Sequence, residues 1–265
     1  MAKEEKPRIP KRPIWTGTIT IGLVNVPVKL HSMTFDKSVS FRFLHKQDGQ
    51  PLKYERACTK DDKVVQWEDV AKGYEVSKGE FIVFEKEELD AAKPESDRRI
   101  RVNKFVDYFS VDPLYMDKSY VLTPDKNNES YSLLLNALEK MGKAGAGRIT
   151  LRTKEYPVLV HAYKGALVLT TLRYADEVAD PSHLEELKEL KDPDKQELSL
   201  AMKIIADLSG EFDITEYKDS YRAKIEELIE KKMKGEKILV ERPVKEEAKE
   251  LMAALQETLE QLKKK

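Results

Sequence analysis

The first two thirds of the chain alternate apolar and polar residues with the period of two that half-buried strands show. Residues 15–30 carry β-branched side chains at alternate positions, with glycines where bends fit and Pro27 where an edge or bulge would tolerate it. Residues 39–45 continue the strand pattern. Residues 52–58 and 63–67 flank a polar turn at 59–62, which predicts a hairpin. Further strands are predicted at 81–84, 99–105, 119–122, 148–151, 157–163 and 166–171, with a short helix at 131–140 among them. From Glu185 the spacing changes. Leu198, Met202, Ile205 and Leu208 recur at helical intervals, as do Tyr217, Tyr221, Ile225, Leu228 and Ile229, with Gly235 as a C-cap signal. Pro243 precedes one last helix, whose apolar stripe runs through Val244, Ala248, Leu251, Leu255 and Leu262 to a lysine end. Strands first and helices afterwards predict an α+β fold on a mainly antiparallel sheet or barrel.

Composition narrows this picture. Hydrophobic residues make up 40% and charged residues 36%, enough for one good core with the remainder on solvated helices or extended surface. No apolar run approaches the ~20 residues that span a bilayer, and the first residues lack the apolar stretch of a secretion signal. A soluble, cytoplasmic protein is expected. Cys58 is the only cysteine, so neither an intrachain disulfide nor a cysteine-based zinc site is expected. The net charge of −1 conceals a segregation. Between Gly142 and Tyr174 six basic residues stand against Glu155 alone, and between Ala175 and Tyr217 thirteen acidic residues stand against four lysines. One face can therefore be basic in a neutral chain.

The usual marks of catalysis are missing: no Walker-type glycine–lysine loop, His-Glu-x-x-His or nucleophile elbow occurs. His31, His45, His161 and His183 are scattered and read as surface or strand histidines. The glycine-rich stretch 142–148 follows a helix and precedes a strand, the reverse of the phosphate-cradling order, and reads as a plain connection. Asp61 with Asp62, and Asp176 with Glu177, are adjacent carboxylates that fit a turn and a helix cap better than a metal site. Tyr108, Tyr115, Tyr120 and Tyr131 could stack on bases, yet strand-like positions favour core roles. No enzyme emerges. A lyase working through a lysine Schiff base is the alternative of another class, and no lysine is singled out by apolar surroundings. A scaffold that contacts only proteins is a third. What remains is a basic stretch, Arg42, Lys46, Lys53, Arg56, Lys60, Lys63 and Lys72, around the predicted hairpin. It fits a surface that follows phosphates without reading bases. It equally fits a solvated hairpin of mixed charge, because Asp48, Glu55, Asp61 and Asp62 share the stretch.

Specific strings decide between these. Residues 12–30 (Arg-Pro-Ile-Trp-Thr-Gly-Thr-Ile-Thr-Ile-Gly-Leu-Val-Asn-Val-Pro-Val-Lys-Leu) resemble the N-terminal signature of the prokaryotic Ku family. Residues 41–46, 68–75 and 171–177 resemble it in order, and residues 210–213 and 217–222 are similar to that family's helical arm. The resemblance implies a β-barrel core with a protruding bridge hairpin and a helical C-terminal arm, dimerised as a ring around double-stranded DNA ends, with no catalysis of its own. On this basis residues 1–12 are a flexible basic leader, 13–184 the barrel core with its bridge at about 46–78, 185–240 the arm and 241–265 a tail helix. DNA contacts are expected from Arg42, Lys46, Lys53, Arg56, Lys60, Lys63, Lys72 and Lys78 on the bridge, and from Arg148, Arg152 and Arg173 on the barrel. The tail resembles the element that engages a DNA ligase D-type polymerase–ligase, through Val244, Leu251, Met252, Leu255 and Leu259. Packing of that helix on its own arm is the alternative. Where some members have a second cysteine after the position of Cys58, Thr59-Lys60-Asp61 follows here, so no metal-stabilised bridge and no cofactor are expected. The large extra domains of eukaryotic members are not expected either. The resemblance further implies a cytoplasmic, nucleoid-associated protein that acts in double-strand break repair by non-homologous end joining.

Overall fold

The computed structural model describes residues 8–93, 97–236 and Thr258. Two compact units form: one comprises the chain up to Lys37 with Arg42–Ala179, the other Ser38–Phe41 with the chain from Asp180 onward.

The first unit is built on a closed seven-stranded barrel. Strands β1 (Trp15–Ile21) and β2 (Val24–Ser32) form a hairpin that turns at Gly22, whose φ of +58° suits glycine. A long excursion follows, containing the two-stranded ladder β3 (Lys72–Ser77) and β4 (Glu80–Phe84) and the short helix α1 (Lys86–Ala91). The chain re-enters the barrel as β5 (Arg99–Asp107) and β6 (Met116–Pro124), then forms helix α2 (Asn128–Met141). A meander of β7 (Lys143–Leu151), β8 (Lys154–Tyr163) and β9 (Ala166–Leu172) completes it. Around the barrel the order is β1-β2-β6-β9-β8-β7-β5, antiparallel except where β1 meets β5.

Alternation explains the core. Ile19, Val28, Leu30, Ile100, Leu122, Ile149, Val158, Val160, Leu167 and Leu169 point inward and are essentially inaccessible. Burying each such side chain contributes roughly 1.5–3 kcal/mol. Helix α2 closes one end. The Asn127 side chain caps its first turn, and Gly142, at φ +62°, ends it. Its Tyr131 reaches the core, where the hydroxyl donates to the Leu122 carbonyl at 2.7 Å and accepts from the Leu167 amide at 2.9 Å. Leu122 and Leu167 are register partners, so this hydroxyl ties β6 to β9 where their ladder ends. Tyr131→Phe leaves both backbone groups buried without a partner. It should cost about 1–3 kcal/mol, read as a lower denaturant midpoint with an unchanged slope.

The connection from β5 to β6 returns along the outside of the barrel as a strap. Tyr108, at its start, lies against the His161 ring of β8 at 4.5 Å. At its end the Arg173 amide donates to the Tyr115 carbonyl at 2.7 Å. His161 is buried beneath, with Nε2 3.3 Å from the Thr170 hydroxyl, and desolvation holds its pKa below the ordinary histidine value. The unfolded chain therefore takes up this proton more readily than the folded one. The corresponding stability is present above the ordinary imidazole pKa and is lost as pH falls through it toward the lower folded value. Unfolding midpoints should fall as pH drops below the ordinary imidazole value, and less steeply in His161→Gln.

Three expectations need correction. Residues 39–45 form no strand: Leu44 alone makes an isolated bridge, to Pro51, and Phe41 and Phe43 lie exposed with no inner face to bury. The predicted hairpin strands around the 59–62 turn reduce to one bridge, Ala57 to Val64, with three flanking backbone hydrogen bonds. The stretch 142–148 is no connection, since β7 begins at Lys143 directly after the helix cap. Its glycines serve packing: a Cβ on Gly147 would lie 1.9 Å from the Arg101 carbonyl oxygen of β5.

In the second unit, α3 (Glu185–Lys188), α4 (Lys195–Leu208) and α5 (Ser220–Met233) are helices, the last two N-capped by Asp194 and Asp219. The predicted stripe of α4, Leu198, Met202, Ile205 and Leu208, is exposed in the single chain. No described helix is long and apolar enough to cross a membrane.

Candidate nucleic-acid interface

Strand register determines which basic residues share a neighbourhood. β1 and β5 run parallel, and every other neighbouring pair is antiparallel. The end of β2, the start of β5, the β7–β8 turn and the end of β9 therefore all lie at the barrel end opposite α2. The excursion leaves and returns there, and Arg152, in the β7–β8 turn at φ +58°, sits at the same end. Arg148 is the register partner of Arg101, with Arg99 two residues earlier on the same outward face of β5. Like charges placed directly opposite destabilise a ladder unless each finds a counter-ion. Arg101 takes Asp97, and Arg148 takes Glu155 at 3.3 Å. Arg98, Arg99 and Arg152 stand outside the pairs at this rim.

In the sequence Arg99 and Arg101 read only as strand residues. Basic side chains at alternate positions are the available signal, and they gain meaning only beside Arg148. Arg173 is also held locally. Its guanidinium donates to the Leu114 carbonyl at 3.0 Å and to that of Met116, and lies 3.4 Å from Asp117, so it anchors the strap. Lys154 completes the rim. Its ammonium pairs with Glu177 at 3.0 Å and sits 5.2 and 5.9 Å from the Tyr156 and Tyr174 rings. The Glu177 hydrogen bond raises its pKa, the opposite of what a Schiff-base nucleophile needs.

On the excursion the basic residues are solvent-facing. Lys46 lies in a turn closed by the His45 amide donating to the Gln50 carbonyl at 2.8 Å. Lys60 lies in a second turn, closed by the Cys58 amide donating to the Lys63 carbonyl at 2.8 Å, and Lys78 in the β3–β4 turn. Lys53 has a loose local partner, Glu55 at 3.6 Å, and Lys63 pairs closely with Asp61 at 2.9 Å on the exposed surface. The Arg56 guanidinium stacks over the Trp67 ring at 4.3 Å. Arg42 and Lys72 are exposed as well. Among the described residues no group of three or more His, Cys, Asp or Glu side chains could hold a metal. Val244, Leu251, Met252, Leu255 and Leu259 lie outside the described residues.

A closed barrel with one capped end, a basic open rim and a long excursion rooted in that rim defines the class structurally. The family model for the Ku70/Ku80 beta-barrel domain matches residues 20–200. A "Non-homologous end joining protein Ku" of Anaeromyxobacter sp. (strain K) is 39% identical, over 94% of this chain and 83% of the relative. Proteins of that name from Archaeoglobus fulgidus and Bacillus subtilis (strain 168) are 36% and 32% identical, over 95% and 99% of this chain and 100% and 86% of the relatives. The chain belongs to the Ku family.

Proposed function

We propose that this protein binds double-stranded DNA ends without regard to sequence, as a homodimeric ring, in non-homologous end joining. The observation that carries the reading is the shared location of two sets of basic side chains. Arg99, Arg101, Arg148 and Arg152 line the barrel end from which the excursion with Lys46, Lys53, Arg56, Lys60, Lys63 and Lys78 projects. Such a surface meets phosphates on two sides of a duplex and offers no recognition helix for base edges. Dimerisation has separate support. The β3–β4 ladder is exposed on both faces, including Tyr74, Phe81, Ile82 and Val83, and a lone two-stranded ladder is marginal in water. The uncovered stripe of α4 is a second surface that a partner copy would bury. In this reading the excursion is the bridge, residues 185–240 form the arm, the tail recruits a polymerase–ligase and the protein works on the nucleoid.

Topological capture gives a direct test. Linear duplex should be retained in a gel-shift assay, with affinity falling steeply as salt rises, whereas covalently closed circles of the same sequence should bind poorly. Equal affinity for circles and linear fragments would sink the ring. Light scattering should give the mass of a dimer.

A further inference from the structure

The excursion carries a second feature of opposite sign. Between the turn Trp67–Asp69, the outer ends of the β3–β4 ladder and helix α1 lies a groove of about 860 Å³, within the size range of ligand sites. Trp67, Val70, Phe84 and Leu89 supply its apolar lining. Trp67 is 70% exposed, with the Arg56 guanidinium 4.3 Å over its ring. An uncovered indole offers a large apolar area to bury, and tryptophan is among the residues that make strong interface anchors.

Charge around the groove discriminates between occupants. Glu68, Asp69, Glu85, Glu87 and Asp90 outnumber Lys72, Lys86 and Lys93. Asp90 is neutralised by Lys93, and Glu85 is engaged with Glu88 in the cap of α1. Glu68, Asp69 and Glu87 stand outside those pairs against Lys72 and Lys86, which leaves the groove acidic on balance. Carboxylates so placed repel phosphate, so the groove does not extend the nucleic-acid surface. We propose that it docks a protein partner through a peptide segment that combines lysine or arginine with an aromatic or large aliphatic anchor. The anchor would lie against Trp67, Val70 and Phe84, with its cations facing Glu68, Asp69 and Glu87. The turns of the same excursion carry Lys46, Lys60 and Lys78, so duplex and peptide would occupy different parts of it at once.

Panning a random-peptide phage library on the full chain without DNA tests this, followed by fluorescence anisotropy with the enriched peptide. Enriched sequences should join basic residues to a bulky apolar one. Trp67→Ala, checked for folding by circular dichroism, should weaken the peptide about tenfold or more, as loss of an anchor does. Glu68→Gln with Asp69→Asn should weaken it severalfold while retaining linear duplex. Enrichment of acidic peptides, indifference to both variants or displacement of the peptide by duplex would overturn the assignment. So would a loss of dimer mass in Trp67→Ala, because the groove would then belong to the interface between copies. None of these outcomes depends on whether circles bind.

Discussion

Replacing Lys53, Arg56, Lys60 and Lys63 together by glutamate is expected to reduce affinity for linear duplex at least about a hundredfold, equally for unrelated sequences. Every phosphate that is no longer neutralised takes about 0.9 off the slope of log affinity against log salt, so the slope should flatten as well as the affinity fall. The local carboxylates do not stand in the way. The Lys53–Glu55 and Lys63–Asp61 pairs are fully open to solvent, with lysine side chains 87% and 81% exposed, and such pairs yield readily to a polyanion. Arg56 differs because the Trp67 ring orients it. A fluorescence titration at two salt concentrations checks both quantities. An unchanged affinity would remove the excursion from the interface and leave the barrel rim to carry it alone.

Gly147→Ala is expected to destabilise the barrel strongly through a single added methyl group. A Cβ there would meet the Arg101 carbonyl oxygen at 1.9 Å and the Val102 Cα at 2.9 Å. Both are backbone atoms of β5, so no side chain can swing aside. The two strands must separate at the Arg101–Arg148 pair, at a cost of about 3 kcal/mol, the upper end for overpacking. Calorimetry should show Tm lower by roughly 6–12 °C. Gly210→Ala is the control, since nothing lies within 4 Å of its Cβ position and its backbone is unstrained. The Gly147 variant should also bind duplex severalfold more weakly, because the displaced strands carry the paired arginines of the rim.

How much of the fold is legible in the sequence follows from where water is. Barrel strands face core on one side and solvent on the other, so residues such as Ile19 and Val160 announce themselves by alternation. β3 escapes such a reading because its alternation is too short to stand out: Tyr74 and Val76 alternate with Glu75 and Ser77 over a few residues only, and all of them are exposed in the single chain. Helix α1 has a single partly buried apolar residue, Leu89, too little for a period. The basic character of residues 42–78 is visible as composition, but the rim is not. Arg99 and Arg148 are far apart in the chain and come together only through the β5–β7 register. Arg173, expected on DNA for its charge, anchors the strap, a role that depends on the return path of residues 108–115.

The roots of the excursion have a consequence for how such a protein can vary. β2 and β5 flank β1, two strand spacings apart, and the register sets Arg99 about five residues further along β1 than Ser32, so exit and return are roughly 20 Å apart. Closing so long a chain between these roots depends only weakly on its length, and doubling a flexible loop costs only about 0.6 kcal/mol. Reach and barrel stability are thus adjustable independently. Residues could be inserted beyond either root to widen the grasp, or removed to tighten it, while the seven strands below keep their register.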